Sequence, residues 1–413
     1  MPMPLPTDPP PPRPGPRPLL MHLLEQALMT AGSQIALPAL RNGSFVWRPH
    51  LASTAESLQS QLANVDPDLF GAALAEEGRR RLGDFLGGVE AYRDHPYQRR
   101  LPAVPVVWQE GTTRLLDYGG PGVTGPAVLL VPSLINRGYI LDLTPRRSLV
   151  RYLAGRGIRP FLLDWDCPGP AERGFALEDY VAGRLSRALD AVLVLAGRPL
   201  LAGYCMGGLL ALGAGVLRQD DVRGLALLAT PWDFHQPDGD QAGILRSLRP
   251  FWQDVITLYN GLPVDVLQGL FAAIDPGGIG RKFRQFGRLK RKSVRASDFV
   301  AVEDWLNDGV PLAGGVAHDC LTGWYIENRP ARGEWRLAGR SLQASDFRRP
   351  CLALIPEKDR IVPPQSALAL PGAMPQARSR VISTGHIGMV TGRRAKSDAY
   401  TILAKWILGF SNF

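Results

Sequence analysis

The sequence predicts a mostly parallel, doubly wound α/β sheet, preceded by a helical segment and interrupted late by a helical cap. Three observations carry this reading. Apolar runs of strand length alternate with stretches of helical period from about residue 99 to 230, and again after 351. Several runs, Ala127–Pro132 (AVLLVP) and Gly224–Ala229 (GLALLA) among them, are apolar at every position, as strands covered on both faces must be. Leu200–Leu212 (LLAGYCMGGLLAL) reads as strand, tight turn and helix.

Composition sets the bounds. With 45% apolar and 21% charged residues, the 413-residue chain can bury a large core in one or two domains. Its net charge is +9, but only six of its 47 basic residues are Lys, leaving 41 Arg. So lopsided a ratio points to coding bias rather than to a nucleic-acid footprint, and no basic stripe interleaved with aromatics is present. The four cysteines, at 167, 205, 320 and 351, are widely spaced without a CxxC pair, which fits a reduced, cytoplasmic setting. No apolar run approaches 18 residues, so no transmembrane span is expected. No metal-ligand spacing is present either, and no cofactor is expected.

Taken in order, residues 1–18 hold ten prolines and read as an extended arm rather than a signal peptide. Residues 19–98 form the helical segment: Leu19–Thr30 is a short apolar helix candidate, and Phe70, Leu74, Leu82, Phe85, Leu86, Val89 and Tyr92 keep a helical period with Arg79–Arg81 on the other face. Residues 99–413 are the sheet domain. Val106–Gln109 and Arg114–Tyr118 pair across the turn-like Glu110-Gly111, and Ala127–Pro132 follows. Ser148–Arg156 and Leu177–Leu195 are helices flanking a strand at Pro160–Asp164, and Pro199–Ala202 leads into the turn. The alternation breaks at about 233–324, a cap insertion rich in helix formers and aromatics. Within it Arg281–Arg295 carries eight Lys or Arg, and Glu303, Asp304 and Asp308 surround Trp305. Strands resume at Cys351–Ile355 and Arg380–Ser383, with a closing helix at Ser397–Leu408.

The turn after Pro199–Ala202 is the chemical centre. Gly203-Tyr204-Cys205-Met206-Gly207 matches Gly-x-Nuc-x-Gly, in which a nucleophile stands on a strained strand-to-helix turn. The flanking glycines are needed because a Cβ on either side would meet the neighbouring strand or helix. The bland alternative for Cys205 is a buried structural thiol.

A nucleophile needs a base, and the base an orienting acid. Of six histidines, His22, His50 and His95 precede the sheet, and His235 and His318 bracket the insertion. His386 directly follows the last strand, on the loop Ser383-Thr384-Gly385-His386, and is the expected base. Asp359, four residues past Cys351–Ile355, is the expected acid, with Asp233 as the alternative. Oxyanion donors are expected from the Met206 amide and from the loop Ser133-Leu134-Ile135-Asn136, with Ile135 as the donor and Asn136 as a substrate contact. Arg288 and Arg291 are candidates for the phosphates of a nucleotide-bearing substrate, against the plainer reading of a solvated basic face. Cysteine also narrows the reaction. An acyl group moved from a thioester to sulfur remains a thioester and stays activated for a second transfer, whereas an ester on serine does not.

These residues resemble the polyhydroxyalkanoate synthases, bacterial cysteine acyltransferases of α/β-hydrolase fold. Val131-Pro132-Ser133-Leu134-Ile135-Asn136 with Tyr139-Ile140-Leu141-Asp142-Leu143 is similar to the family's V-P-P-x-I-N-x-x-Y-I-L-D-L, and Ser148-Leu149-Val150-Arg151 to its S-L-V-R. Trp165, Pro168, Asp179 and Tyr180 fall at its W-x-x-P and D-Y positions, and Gly203–Gly208 matches G-x-C-x-G-G. Asp359-Arg360-Ile361-Val362-Pro363 resembles D-H-I-V-P, with Arg360 in place of His, and Gly385-His386-Ile387 resembles S-G-H-I. The resemblance implies Cys205 as acyl carrier, His386 as base, Asp359 as its acid, and a 3-hydroxyacyl-CoA as substrate, with the acyl group passed to a hydroxyl acceptor. A cysteine hydrolase or acyl-CoA thioesterase without polymerase activity is the alternative. A polymer granule surface and a second copy of the chain are the partners the family suggests.

Overall fold

The structure is a computed structural model and describes residues 13–47, 49–235 and 241–410. Most of the expected proline-rich arm, residues 1–12, therefore lies outside the described residues. The chain divides into two compact units, one formed by the residues up to Tyr97 together with Gln268–Glu303, the other by Gln98–Leu267 and Asp304–Phe413.

The larger unit is built on an eight-stranded sheet. Its strands are β1 (Val106–Glu110), β2 (Thr113–Asp117), β3 (Ala127–Val131), β4 (Arg159–Asp164), β5 (Leu200–Tyr204), β6 (Leu225–Leu228), β7 (Cys351–Pro356) and β8 (Ala377–Ile382), in the spatial order β1-β2-β4-β3-β5-β6-β7-β8. β2 runs antiparallel to both β1 and β4, and every other pairing is parallel. The hairpin turns at Gly111, whose φ of 56° suits glycine. Every residue of β3, β5, β6 and β7 is buried, the physical meaning of their uninterrupted apolar runs. In register, Val131 lies beside Gly203 and Tyr204 beside Leu228, so the carboxyl ends of β3, β5 and β6 reach one sheet edge together. Two helices differ in detail from expectation: the one after β4 begins as a π-helical stretch, Asp179–Leu185, before the α-helix Ser186–Ala196, and the closing helix does likewise at Lys396–Tyr400.

In the smaller unit, the long helix Pro67–Arg93 starts on Asp66, whose carboxylate accepts from the Asp68 and Leu69 amides at 2.8 and 3.0 Å. Its apolar face buries Phe85, Val89 and Tyr92 against Phe283 and Phe286 of helix Gly278–Gly287 and against Ala296 and Val300. Phe283 meets Phe85 and Tyr92 edge-on at 6.1 and 5.7 Å. Residues 268–303, expected in the cap, thus belong to the helical unit, because the aromatics of the basic stretch complete the core of the N-terminal helices. Among the described residues no helix is long and apolar enough to cross a membrane.

Candidate active site

The site grows from the end of β5. Cys205 takes φ 55° and ψ −128°, a region sterically costly for any side chain, and helix Met206–Leu217 starts at the next residue. The ladder holds this strain in place: the Cys205 amide donates to the Leu228 carbonyl at 2.8 Å. A Cβ on Gly207 would fall onto the carbonyls of Val131 and Pro132, and one on Gly203 onto the backbone of Gly207 and Gly208. Backbone cannot swing aside as a side chain can. Gly207→Ala is therefore expected to cost about 3 kcal/mol, the upper end of overpacking, read as a lowered urea midpoint.

Asp359 follows β7 and His386 follows β8. The His386 Nδ1 and Asp359 Oδ2 lie 2.7 Å apart, with both side chains buried. The other carboxylate oxygen, Oδ1, accepts the Ile361 and Val362 amides, each at 2.9 Å, which fixes the carboxylate's plane. Cys205 lies against the imidazole. Burial alone would push the His386 pKa down, but the charge of Cys205, hydrogen bonds with Asp359 and Cys205 and the Asp359 charge together raise it to about 10. We expect NMR titration of the ring to show this raised value, and Cys205→Ala to lower it by removing the negative charge beside it. An unchanged titration would mean that Cys205 does not act on the ring.

The other three cysteines are set apart. Burial drives the Cys320 thiol far above its usual range and the Cys351 thiol up to about 12. Cys167 is also raised by burial, against the pull of Arg137, whose Nη2 lies 3.3 Å from its sulfur.

The remaining sequence candidates fare differently. The Met206 amide opens the helix after the elbow, where N–H groups lack intrahelical partners. Ile135 follows β3, but its N–H donates to Ser133 Oγ at 3.2 Å and is engaged in its own turn. Asn136 bridges Gly309 through its backbone, and its Nδ2 is buried without an acceptor. Asp233 serves its loop instead of a histidine base: Oδ1 accepts from Asn328 Nδ2 at 2.8 Å and from the His235 amide at 3.0 Å. Arg288 pairs with Asp84 at 3.0 Å and Arg291 donates to the Asp94 carbonyl, all within the helical unit, which contains none of Cys205, Asp359 and His386.

Two side chains at the site went unread in the sequence. Tyr204 packs its ring 5.3 Å from that of His386 and donates its hydroxyl to the His386 carbonyl at 3.2 Å. Its position beside the nucleophile was the available signal. Tyr325 lies in a π-helical segment, Asp319–Ile326, edge-on to Phe234 at 4.8 Å. Burial and then the Cys205 charge raise its hydroxyl pKa. Nothing in its local sequence pattern announces that proximity.

An eight-stranded sheet in this order, with its single antiparallel strand second, an elbow after the fifth strand, a carboxylate after the seventh and an imidazole after the eighth, is the α/β-hydrolase fold. The family model described as "Poly-beta-hydroxybutyrate polymerase (PhaC) N-terminus" matches residues 103–153. The chain is 31% identical over 317 residues to the poly(3-hydroxyalkanoate) polymerase subunit PhaC of Haloferax mediterranei, covering 73% of this chain and 63% of that one. It is 30% identical to the same subunit of Haloarcula marismortui, over 73% of this chain and 66% of that one. Against the Synechocystis subunit, identity is 28% over 78% of this chain and 89% of that one. The chain thus spans just under two thirds of the length of the two haloarchaeal relatives. With this family-model match and PhaC polymerase relatives 24 to 31% identical over most of its length, the chain is similar to the PhaC polymerases.

Proposed function

We propose that the protein is a cysteine-dependent acyltransferase of the polyhydroxyalkanoate synthase type, which takes the acyl group of a 3-hydroxyacyl-CoA onto Cys205 and passes it to a hydroxyl. The observation that carries this is a cysteine at the elbow beside a buried His386–Asp359 pair at 2.7 Å, in a chain similar to the PhaC polymerases.

In the first half-reaction the Cys205 thiolate attacks the thioester carbonyl. The negative charge that forms on oxygen is met by the Met206 amide and by an amide of the loop after β3 other than that of Ile135, which Ser133 Oγ takes up. The carbon–sulfur bond to CoA breaks, and the CoA sulfur leaves with the proton carried by His386. Acylation also resets the base. The negative charge of Cys205, the largest influence raising the His386 pKa, is gone once sulfur carries the acyl group, while burial still favours the neutral ring. Neutral imidazole can then take the proton of an incoming hydroxyl, which attacks the Cys205 thioester and forms the ester. Asp359 holds Nδ1–H throughout, so that the opposite nitrogen faces the chemistry.

The test is incubation of the protein with 3-hydroxybutyryl-CoA. CoA release with growing oligoester, and an acyl adduct on Cys205 by mass spectrometry, are expected. CoA release with free acid alone would make the protein a thioesterase, and no release would overturn the substrate.

A further inference from the structure

The acidic, tryptophan-bearing stretch that follows Glu303 takes no direct part in these steps, yet it is built onto the loop after β3. Trp305, itself buried, donates its Nε1–H to the Arg137 carbonyl at 2.7 Å. The Val310 amide donates to the Ile135 carbonyl at 2.8 Å. Between them, Asn136 and Gly309 form an antiparallel bridge. Asp308 pairs with Arg137 at 3.4 Å, and its charge and hydrogen bond also reach the Tyr139 hydroxyl. Arg137 is tied further to Asp166. Three consecutive residues of the loop, 135 to 137, are thus held by one segment far away in the chain. The loop's own side chains do less: Ser133 holds one amide, and the buried Asn136 Nδ2 finds no acceptor.

Such a loop would ordinarily be among the more mobile parts of a fold. An oxyanion donor must instead stand within hydrogen-bond reach of an oxygen that becomes charged only in the transition state, and gains most when already in place. We propose that the segment from Trp305 to Val310 is a clamp that sets the amide geometry of the loop after β3, with Trp305 and Asp308 as positioning residues for acyl transfer to Cys205. This rests on Cys205 being the acyl carrier.

The test uses Trp305→Phe, which keeps a large ring but loses the N–H, and Asp308→Asn at a half-exposed position where folding is not at stake. Two reactions of the full-length protein are compared. One is the p-nitrophenol burst from p-nitrophenyl butyrate, which forms an oxyanion. The other is alkylation of Cys205 by iodoacetamide, a displacement that forms none. Loss of part of the donor geometry should slow the burst about tenfold in Trp305→Phe and about threefold in Asp308→Asn, with KM and the alkylation rate unchanged. An unchanged burst, or burst and alkylation falling together, would overturn the clamp. The ester carries no CoA. A normal burst without CoA release from 3-hydroxybutyryl-CoA would therefore defeat the proposed substrate and leave the clamp standing.

Discussion

Cys205→Ala is expected to remove acyl transfer altogether, with a loss on the order of 10⁵-fold or more in kcat, as when the nucleophile of a cooperating triad is deleted. CoA release followed with a thiol reagent is the measurement. No other cysteine can substitute. Cys320 and Cys351 are buried, and burial holds their thiols protonated. Cys167 is partly accessible, but its pKa is raised and its neighbours are Arg137 and Asp166 rather than a histidine. If Cys167→Ala or Cys320→Ala matched Cys205→Ala, the nucleophile would be misassigned. Cys205→Ser is expected to retain weak hydrolysis and to lose chain growth, because an acyl ester on serine is no longer activated for transfer to a hydroxyl.

Asp359→Asn should lower kcat on the order of 10³- to 10⁴-fold with little change in KM, and the structure says why so small a change is so costly. Asp359 Oδ1 accepts two backbone amides, and Oδ2 faces His386 Nδ1. An asparagine must put its oxygen where the two amides donate, so its NH₂ is forced toward His386. Nδ1 then becomes an acceptor and the proton moves to the opposite nitrogen, the one that must accept a proton from the chemistry. The substitution also removes a hydrogen bond and a charge that raise the His386 pKa, so the ring should titrate at lower pH. Asp233→Asn is the control. Its carboxylate bonds the Asn328 side chain and the His235 amide rather than a histidine ring, and activity should stay close to the wild-type level. A large loss there and none at position 359 would reverse the assignment of the acid.

Much of this was legible because local physics left little choice. A strand covered on both faces must be apolar throughout, so β3, β5, β6 and β7 were readable as runs. A nucleophile on a strained turn needs glycine on either side, and Gly203 and Gly207 stand where the backbone carbonyls and amides of neighbouring elements leave no room for a Cβ. Chain order then pointed to Asp359 and His386, since loops at one edge of a parallel sheet are the ends of its successive strands.

What the chain pattern did not carry were pairings between segments with no shared period. The basic stretch around Phe283 and Phe286 reads as a solvated face, but its aromatics complete the core of the N-terminal helices, and their partners lie some two hundred residues earlier. Arg288 and Arg291 find their partners in that unit for the same reason. Nor can spacing show that the Ile135 amide is already bonded to Ser133, or that Trp305 reaches the Arg137 carbonyl. Strand, elbow and triad order follow from the sequence itself, because burial and backbone strain restrict which residues each position accepts. The choice between Asp359 and Asp233, and the clamp on the loop after β3, depend on distances between elements remote in the chain, and only the packed tertiary structure sets those.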